Sequence, residues 1–251
     1  MHISDSLVFD TVNCRNFTDE MLKECAKLFS DHYGVWSSQM GTKAGKHVSI
    51  SPARLKSQLI SDPANTVVSR CKRGDDLIGQ AFATVWEYKP GCHAAWVTQL
   101  VVHKNFRRRY IATLLLQNLK LNPLFCDINA PIDAIGLAST HPASINTLAK
   151  FSYLSPGELD LSFISKNARE IMKASPVPYI RDASSHLKGS IFEKDLATRG
   201  VVSSAFTDFY VDHEEPLSTL KSYVDAGRWC LGDLLDGHEF LIIVPVAEST
   251  I

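Results

Sequence analysis

The chain has 251 residues, of which 45% are apolar and 21% are charged, and its formal net charge is −1. This length and composition suffice to bury the core of one large domain, and the near-neutral charge gives no general attraction for nucleic acid or an acidic membrane. No apolar run approaches the roughly 20 residues of a membrane span, and the N-terminus lacks the pattern of a secretory signal. We therefore expect a cytoplasmic protein without nucleic-acid or membrane partners.

Hydrophobic periodicity predicts a chain in which helices and strands are mixed. The predicted elements, in chain order, are a strand over 7–13, a helix over 18–36, a helix over 51–61, a hairpin of strands over 65–73 and 77–89, a strand over 93–102, a helix over 111–120, a strand over 133–140, a helix over 142–154, a strand over 201–212, a helix over 216–229 and a strand over 239–246. Residues from about 160 to 200 are polar, with helical pieces and a "PVP" break, and are predicted to form an insertion. We assign all elements to a single domain over 1–251.

The stretch "VVHKNFRRRYIATLLLQNL" places three consecutive arginines, Arg107 to Arg109, between a predicted strand and a predicted helix. The first turn of a helix has unpaired N–H groups and a partial positive charge, so it attracts anions. Arginine side chains add charge-assisted donors for phosphate. The pattern is typical of a phosphate-binding turn, although a solvated basic turn before an ordinary helix has the same spacing.

The same stretch resembles motif A of the GCN5-related N-acetyltransferases, in which an apolar strand is followed by V-H-P-x-Y/F and then by R/Q-x-x-G-x-G/A at the start of a helix. Val102, His103 and Phe106 match the end of that strand, Arg107 matches the R/Q position, and Ala112 matches the second small residue.

The sequence departs from the family pattern at Tyr110, where these enzymes usually have glycine. The resemblance implies that backbone N–H groups of residues 108 to 113 bind the pyrophosphate of coenzyme A. It also implies that backbone groups of Leu100 to Val102 bind the pantetheine arm, and that an N–H there polarises the thioester carbonyl. Tyr110 must then keep its side chain clear of the phosphates.

A second stretch, "NTLAKFSYLSPGE", resembles the family pattern N-x-x-A-x-x-L-Y-x-K-x-G-F in part. Asn146, Ala149, Tyr153 and Gly157 stand at the family offsets, whereas Ser152 replaces the leucine and the final Lys and Phe are absent. The resemblance implies that the tyrosine protonates the leaving thiolate and that the asparagine binds near the cofactor. The alternatives are a helix-end tyrosine with its hydroxyl in water and a solvent-facing asparagine.

The resemblance also implies a fold and a reaction. The fold would be α/β, with a mixed, mostly antiparallel central sheet flanked by helices (the acyl-CoA N-acyltransferase fold) and a helical insertion before the last two strands. The reaction would be acetyl transfer from acetyl-CoA to the primary amine of a small molecule, without a metal. A non-catalytic acyl-CoA sensor or scaffold and a protein-lysine acetyltransferase are alternatives, and a homodimer is left open. The predicted contacts of acetyl-CoA or coenzyme A are Leu100, Val101, Val102, Arg107, Arg108, Arg109, Tyr110, Ile111, Ala112, Thr113 and Asn146.

Transfer to an amine requires a group that takes a proton. Glu87 on a central strand and His141 directly after a buried strand are the candidates, with a solvated hairpin residue and a helix-capping residue as the respective alternatives. Tyr33 and Trp36, at the start of the loop between the first two helices, could line the acceptor site or could belong to the core.

Overall fold

The computed structural model of the chain describes residues 6–127, 130–193 and 199–246. The strands are β1 (Leu7–Asn13), β2 (Thr66–Arg73), β3 (Asp76–Lys89), β4 (Cys92–Val102), β5 (Ile132–Ser139), β6 (Leu187–Lys188), β7 (Ser204–Phe206) and β8 (His238–Pro245). The helices are α1 (Asp19–His32), α2 (Pro52–Leu59), α3 (Ile111–Leu119), α4 (Pro123–Cys126), α5 (Pro142–Phe151), α6 (Leu161–Lys173), α7 (Pro178–Ala183) and α8 (Glu214–Asp225). In the described residues no helix is both long and apolar enough to cross a membrane.

The eight described strands form one sheet in the order β1-β2-β3-β4-β5-β8-β7-β6. β4 and β5 pair in parallel, and all other neighbours pair antiparallel. The helices α6 and α7 precede β7 and β8, as the predicted insertion requires. The predicted fold class is therefore confirmed.

The first two helices begin where their capping residues predict. The Thr18 hydroxyl accepts a hydrogen bond from Met21 N at 3.3 Å, and the Ser51 hydroxyl accepts one from Arg54 N at 3.2 Å. Pro52 then occupies the first position of α2. α1 ends at His32, four residues before the predicted end at 36, because the chain turns there into a loop that pairs with a distant segment.

β4 contains a bulge that separates it from β5. Gln99 pairs with Phe82 of β3 and Val97 pairs with Ala83, so Thr98 is an extra residue in the strand. On its other side β4 pairs with β5 only as far as Trp96 and Gly136. Beyond that point β4 continues along β3 and β5 continues along β8, which leaves a wedge between them.

The insertion packs on one face of this wedge. The Trp86 indole of β3 donates a hydrogen bond to Ile171 O of α6 at 3.0 Å, and the Tyr179 hydroxyl of α7 donates one to Thr98 O at 3.0 Å. The second bond uses the carbonyl of the bulge residue, so the insertion closes the narrow end of the wedge on this face.

The narrow end of the wedge also depends on a glycine. A β-carbon at Gly136 would overlap the ring of Trp96, which is fully buried in the core. We expect Gly136→Ala to destabilise the fold by about 1–3 kcal/mol, the usual range for overpacking a core. Urea denaturation measures the change. Gly34→Ala is the matched control because nothing lies near a β-carbon there. Equal stabilities of the two variants would contradict this packing.

Candidate active site

The wedge opens into a cleft of about 920 Å³ between the bulged half of β4, the start of α3, the start of α5, and α8. Most of the predicted cofactor contacts line it. They are Leu100, Val101, Val102, Arg107, Arg108, Tyr110, Ile111, Ala112, Thr113 and Asn146.

The turn before α3 has an unusual backbone. Arg108 has φ 62° and Tyr110 has φ 61°, both in the left-handed region that glycine favours. Tyr110 thus takes the conformation of the glycine that it replaces. Its side chain is 71% exposed, and the Lys150 ammonium lies 5.7 Å from the centre of its ring. The tyrosine therefore keeps the shape of the turn, and its ring lies in solvent.

The backbone N–H groups of this turn are available to a ligand. In the part of the chain that the structure describes, the N–H groups of residues 108–113 donate to neither a backbone nor a side-chain acceptor. These donors belong to the turn and the first turn of α3, where the helix dipole favours negative charge. Lys104, Arg108 and Lys150 also line the cleft. The residues present fit a diphosphate group.

The side chain of Arg107 is used to hold the turn. Its guanidinium donates to Val102 O at 3.3 Å, to His32 O at 2.5 Å and to the Glu215 carboxylate at 3.0 Å. It thereby connects β4, the end of α1 and the start of α8. These bonds occupy the guanidinium, so the turn can bind a ligand without a direct contact from this side chain.

Arg109 differs from its neighbours because its side chain does not line the cleft. Its guanidinium lies 5.3 Å from the centre of the Phe106 ring, and Arg73 lies 5.6 Å from the same ring. Because the guanidinium does not line the cleft, the backbone N–H of Arg109 is the group that could contact a cofactor there. The three arginines therefore have three different environments.

His141 caps α5 and lines the cleft. Its Nδ1 accepts a hydrogen bond from Ala143 N at 3.1 Å, which places the proton of the neutral ring on Nε2. Nε2 lies 3.7 Å from the Glu215 carboxylate, and burial lowers the pKa of the imidazole. His141 is held as a neutral donor. The cap occupies the free lone pair of the ring, as the alternative of a helix-capping residue describes, and a role of His141 as a base stays a prediction.

α8 forms one wall of the cleft. The sequence predicted a helix in this region, but not that it lines the cleft. The lining residues of this helix are Glu215, Pro216, Ser218, Thr219, Ser222 and Tyr223. Their hydroxyls recur at positions i, i+1, i+4 and i+5, which is one face of a helix. This row of hydroxyls, on the side of the helix away from the buried Leu220, is the sequence pattern that could have indicated a cleft-lining face.

No protein-family model and no curated protein sequence matches the chain. Solved structures do match. The diaminobutyrate acetyltransferase of Paenibacillus lautus, with L-2,4-diaminobutyric acid and coenzyme A, is 17% identical over 59% of this chain and 74% of its own (TM-score 0.37). The ribosomal-protein-S18-alanine N-acetyltransferase of Escherichia coli is 10% identical over 60% of this chain and 79% of its own (TM-score 0.42).

Both of these matched proteins are acetyltransferases. The sheet of the present chain is mixed and mostly antiparallel, as the resemblance implied. It has one parallel pair at its centre, β4 and β5, and the two strands separate beside the turn before α3.

Tyr153 does not line the cleft. α5 ends at Phe151, and Tyr153 follows the helix with φ 59°. Its side chain is 87% exposed and does not line the cleft. The offset from Asn146 therefore does not bring the two side chains together, and a catalytic role of Tyr153 stays a prediction.

Glu87 also lies outside the cleft. It is exposed, pairs with His93 at the hairpin end of β3, and accepts a hydrogen bond from Gly91 N at 2.8 Å. The carboxylate stabilises the turn at the end of the sheet away from the cleft, which agrees with the alternative of a hairpin residue.

The two predicted acceptor residues have different positions. Tyr33 lines the cleft and stacks on Phe29, with ring centres 4.4 Å apart. Trp36 does not line the cleft, and its ring packs on Phe209 at 5.3 Å. Of this pair, the structure therefore brings only Tyr33 to the cleft.

The exposed position of Tyr110 predicts that its ring does not obstruct the cleft. We expect Tyr110→Gly to change coenzyme A affinity less than about threefold, because the N–H groups are already free and 1.4 kcal/mol corresponds to tenfold. The stability should change by less than about 1 kcal/mol, since relief of left-handed strain is offset by the entropy of glycine. Calorimetry and denaturation measure both. A tenfold gain in affinity would mean that the ring blocks the site.

Proposed function

We propose that the protein is an acetyl-CoA-dependent N-acetyltransferase that acts on the primary amine of a small molecule. The observation that supports this most directly is the unpaired row of N–H groups over residues 108–113. This row stands beside the free edge of β4 in one cleft. An anion site next to an open strand edge suits a long cofactor that has phosphates at one end and a thioester at the other.

The residues of the cleft would then have separate tasks. Acetyl-CoA supplies the activated acetyl group. The N–H groups of residues 108–113 hold the diphosphate, and the free edge of residues 100–102 orients the pantetheine arm and offers an N–H to the carbonyl oxygen. His141 presents its Nε2–H to the cleft as a neutral donor.

Two paired segments cover the acceptor side of the cleft, and this cover, here called the roof, favours a small substrate. The loop after α1 pairs with the segment after β7 through a bridge between Trp36 and Val211, with Ser37 N donating to Tyr210 O at 3.1 Å and Asp212 N donating to Val35 O at 2.9 Å. Such a paired roof leaves less room for a protein chain than an open groove does. This favours a small amine over a lysine side chain of a protein.

Two measurements test the proposal together. Coenzyme A should raise the melting temperature of the protein, since a ligand that binds only the folded state stabilises it. Acetyl-CoA should release free thiol when a panel of primary amines is added, with putrescine, L-2,4-diaminobutyric acid and kanamycin as members. A thermal shift without thiol release would favour a sensor, and release with lysine peptides alone would favour a protein acetyltransferase.

A further inference from the structure

The cleft has a second arm, between α5 and α8. α8 begins next to the turn before α3, because the Glu215 carboxylate lies 3.0 Å from the Arg107 guanidinium and 3.7 Å from Nε2 of His141, the cap of α5. The segments that follow the two helices also meet, since the Cys230 thiol donates a hydrogen bond to Pro156 O at 3.0 Å. The two helices therefore lie side by side and run in the same direction.

Both helices line this arm with polar side chains. The cleft-lining residues of α8 extend from Glu215 to Tyr223, which is about 12 Å at 1.5 Å per residue. The hydroxyl, amide and ammonium groups that the two helices present to the cleft belong to Ser144, Asn146, Lys150, Ser218, Thr219 and Ser222. The arm is therefore a polar groove that begins at the turn and continues along α5.

Lys150 gives this groove a positive charge. Among the described residues, no carboxylate lies within ion-pair distance of its ammonium. Its contact within the protein is the exposed ring of Tyr110, whose centre is 5.7 Å away. An ammonium group in a cleft, without a carboxylate partner, favours an anionic ligand.

The cleft is larger than the pantetheine half of the cofactor requires. Its volume of about 920 Å³ is near the upper end of the range of about 300–1,000 Å³ that is usual for ligand pockets. The N–H groups of residues 108–113 lie where its two regions meet, because β4 runs directly into the turn and α8 is bonded to Arg107. In coenzyme A the diphosphate joins the pantetheine arm to an adenosine with a 3′-phosphate. When the pantetheine lies along β4, the nucleotide extends toward the second arm.

We propose that the second arm binds the adenosine 3′-phosphate of coenzyme A, with α8 as its outer wall and Lys150 as the cation that faces the 3′-phosphate. This rests on the proposed function, which places the diphosphate at residues 108–113. The hydroxyls of Ser218, Thr219 and Ser222 supply donors and acceptors for the ribose and for the edge of the adenine. The protein would then select coenzyme A over acyl carriers that consist of phosphopantetheine alone.

The selectivity can be measured on the wild-type protein. We expect calorimetric titration to show that coenzyme A binds at least about tenfold more tightly than 4′-phosphopantetheine, which corresponds to about 1.4 kcal/mol. Adenosine 3′,5′-bisphosphate should bind on its own and compete with coenzyme A. Equal affinities for coenzyme A and 4′-phosphopantetheine would mean that the nucleotide lies in solvent, and would overturn the proposal.

The variant Lys150→Ala tests the position of the 3′-phosphate. It should weaken the binding of coenzyme A by about tenfold, because it removes a charge-assisted contact to phosphate. The binding of dephospho-coenzyme A should not change, since this ligand lacks the 3′-phosphate. Lys221→Ala is the matched control because Lys221 is an exposed lysine of α8 that does not line the cleft. A loss of affinity for both ligands in Lys150→Ala would contradict the assignment.

The variant Ser222→Glu tests the wall that α8 forms. It should weaken coenzyme A binding by at least about tenfold through repulsion of the 3′-phosphate, and should change the affinity for 4′-phosphopantetheine less than about threefold. Val224→Glu adds the same charge two positions later, at a side chain that is 54% exposed and does not line the cleft. It should leave both affinities at the wild-type level.

The outcomes distinguish this proposal from the proposed function. Unchanged coenzyme A affinity in Ser222→Glu, or an equal loss for coenzyme A and 4′-phosphopantetheine, would overturn the role of α8. A wild type that shows the expected selectivity but acetylates no amine would overturn the transfer activity and leave the nucleotide site intact. A wild type that does not bind coenzyme A would overturn both.

Discussion

Ala112→Asp is expected to weaken coenzyme A binding by at least about 100-fold, because like charges placed together in a binding site cost several kcal/mol. Ala112 is the second residue of α3 and lines the cleft beside the unpaired N–H groups. A carboxylate there would accept those N–H groups and repel phosphate. The fold should be unaffected, since an acidic residue in the first turn of a helix is favourable. Calorimetric titration measures the affinity, and denaturation measures the stability.

The chain offers a matched control for this substitution. Ala53 is also the second residue of a helix, α2, and is exposed outside the cleft. Ala53→Asp should leave coenzyme A binding at the wild-type level and should stabilise its helix to a similar degree. If both variants bind coenzyme A normally, the start of α3 is not the phosphate site.

Arg107→Ala is expected to have the second largest effect, on stability and on cofactor affinity together. The guanidinium joins Val102 O, His32 O and the Glu215 carboxylate. Hydrogen bonds to a charged group contribute about 1.5–3 kcal/mol each, and water can replace part of this at a half-buried site, so we expect a loss of about 3 kcal/mol. The turn and the start of α8 should then lose their fixed positions, with weaker coenzyme A binding as the result.

Comparison of Arg109→Ala with Arg107→Ala separates the loss of the hydrogen bonds that hold the turn from the loss of a positive charge. Arg109→Ala removes the same charge from the same turn, but its side chain does not line the cleft and contacts Phe106. We expect a loss of less than about 1 kcal/mol, the usual range for an exposed cation–π contact. Equal losses in the two variants, measured by urea denaturation, would show that Arg107 does not hold the turn.

The sequence predicted most of the fold because its signals are local. Thr18 and Ser51 cap their helices, and the apolar runs of β2 to β5 are strands, as the patterns indicate. The sequence also predicted the place of the turn before α3, but not its backbone conformation. Arg108 and Tyr110 take the left-handed conformations that such a turn requires, although neither is glycine.

The catalytic side chains could not be predicted in the same way. Tyr153 was assigned by its offset from Asn146, and that offset has meaning only while the helix continues, whereas α5 ends at Phe151. Glu87 was assigned to a central strand, but the choice of strand end depends on where β4 and β5 separate. The bulge at Thr98 sets that point, and no local sequence pattern predicts the bulge.

Long-range packing explains the remaining residues in and around the site. Glu215 reaches Arg107 across 108 positions of the chain, and Glu239 is buried in a strand that pairs with β5 and β7. In the sequence Glu239 is one polar residue before the apolar run "FLIIV". Its burial becomes visible only once the insertion and the roof of the cleft are in place.

Titration of coenzyme A into the wild-type protein, followed by calorimetry, tests the central claim most directly. We predict a saturable isotherm with one coenzyme A bound per chain, which Ala112→Asp abolishes and Ala53→Asp leaves unchanged. Absence of binding to the wild type, or equal binding to all three proteins, would contradict the assignment of the turn at residues 107–113 as the cofactor site.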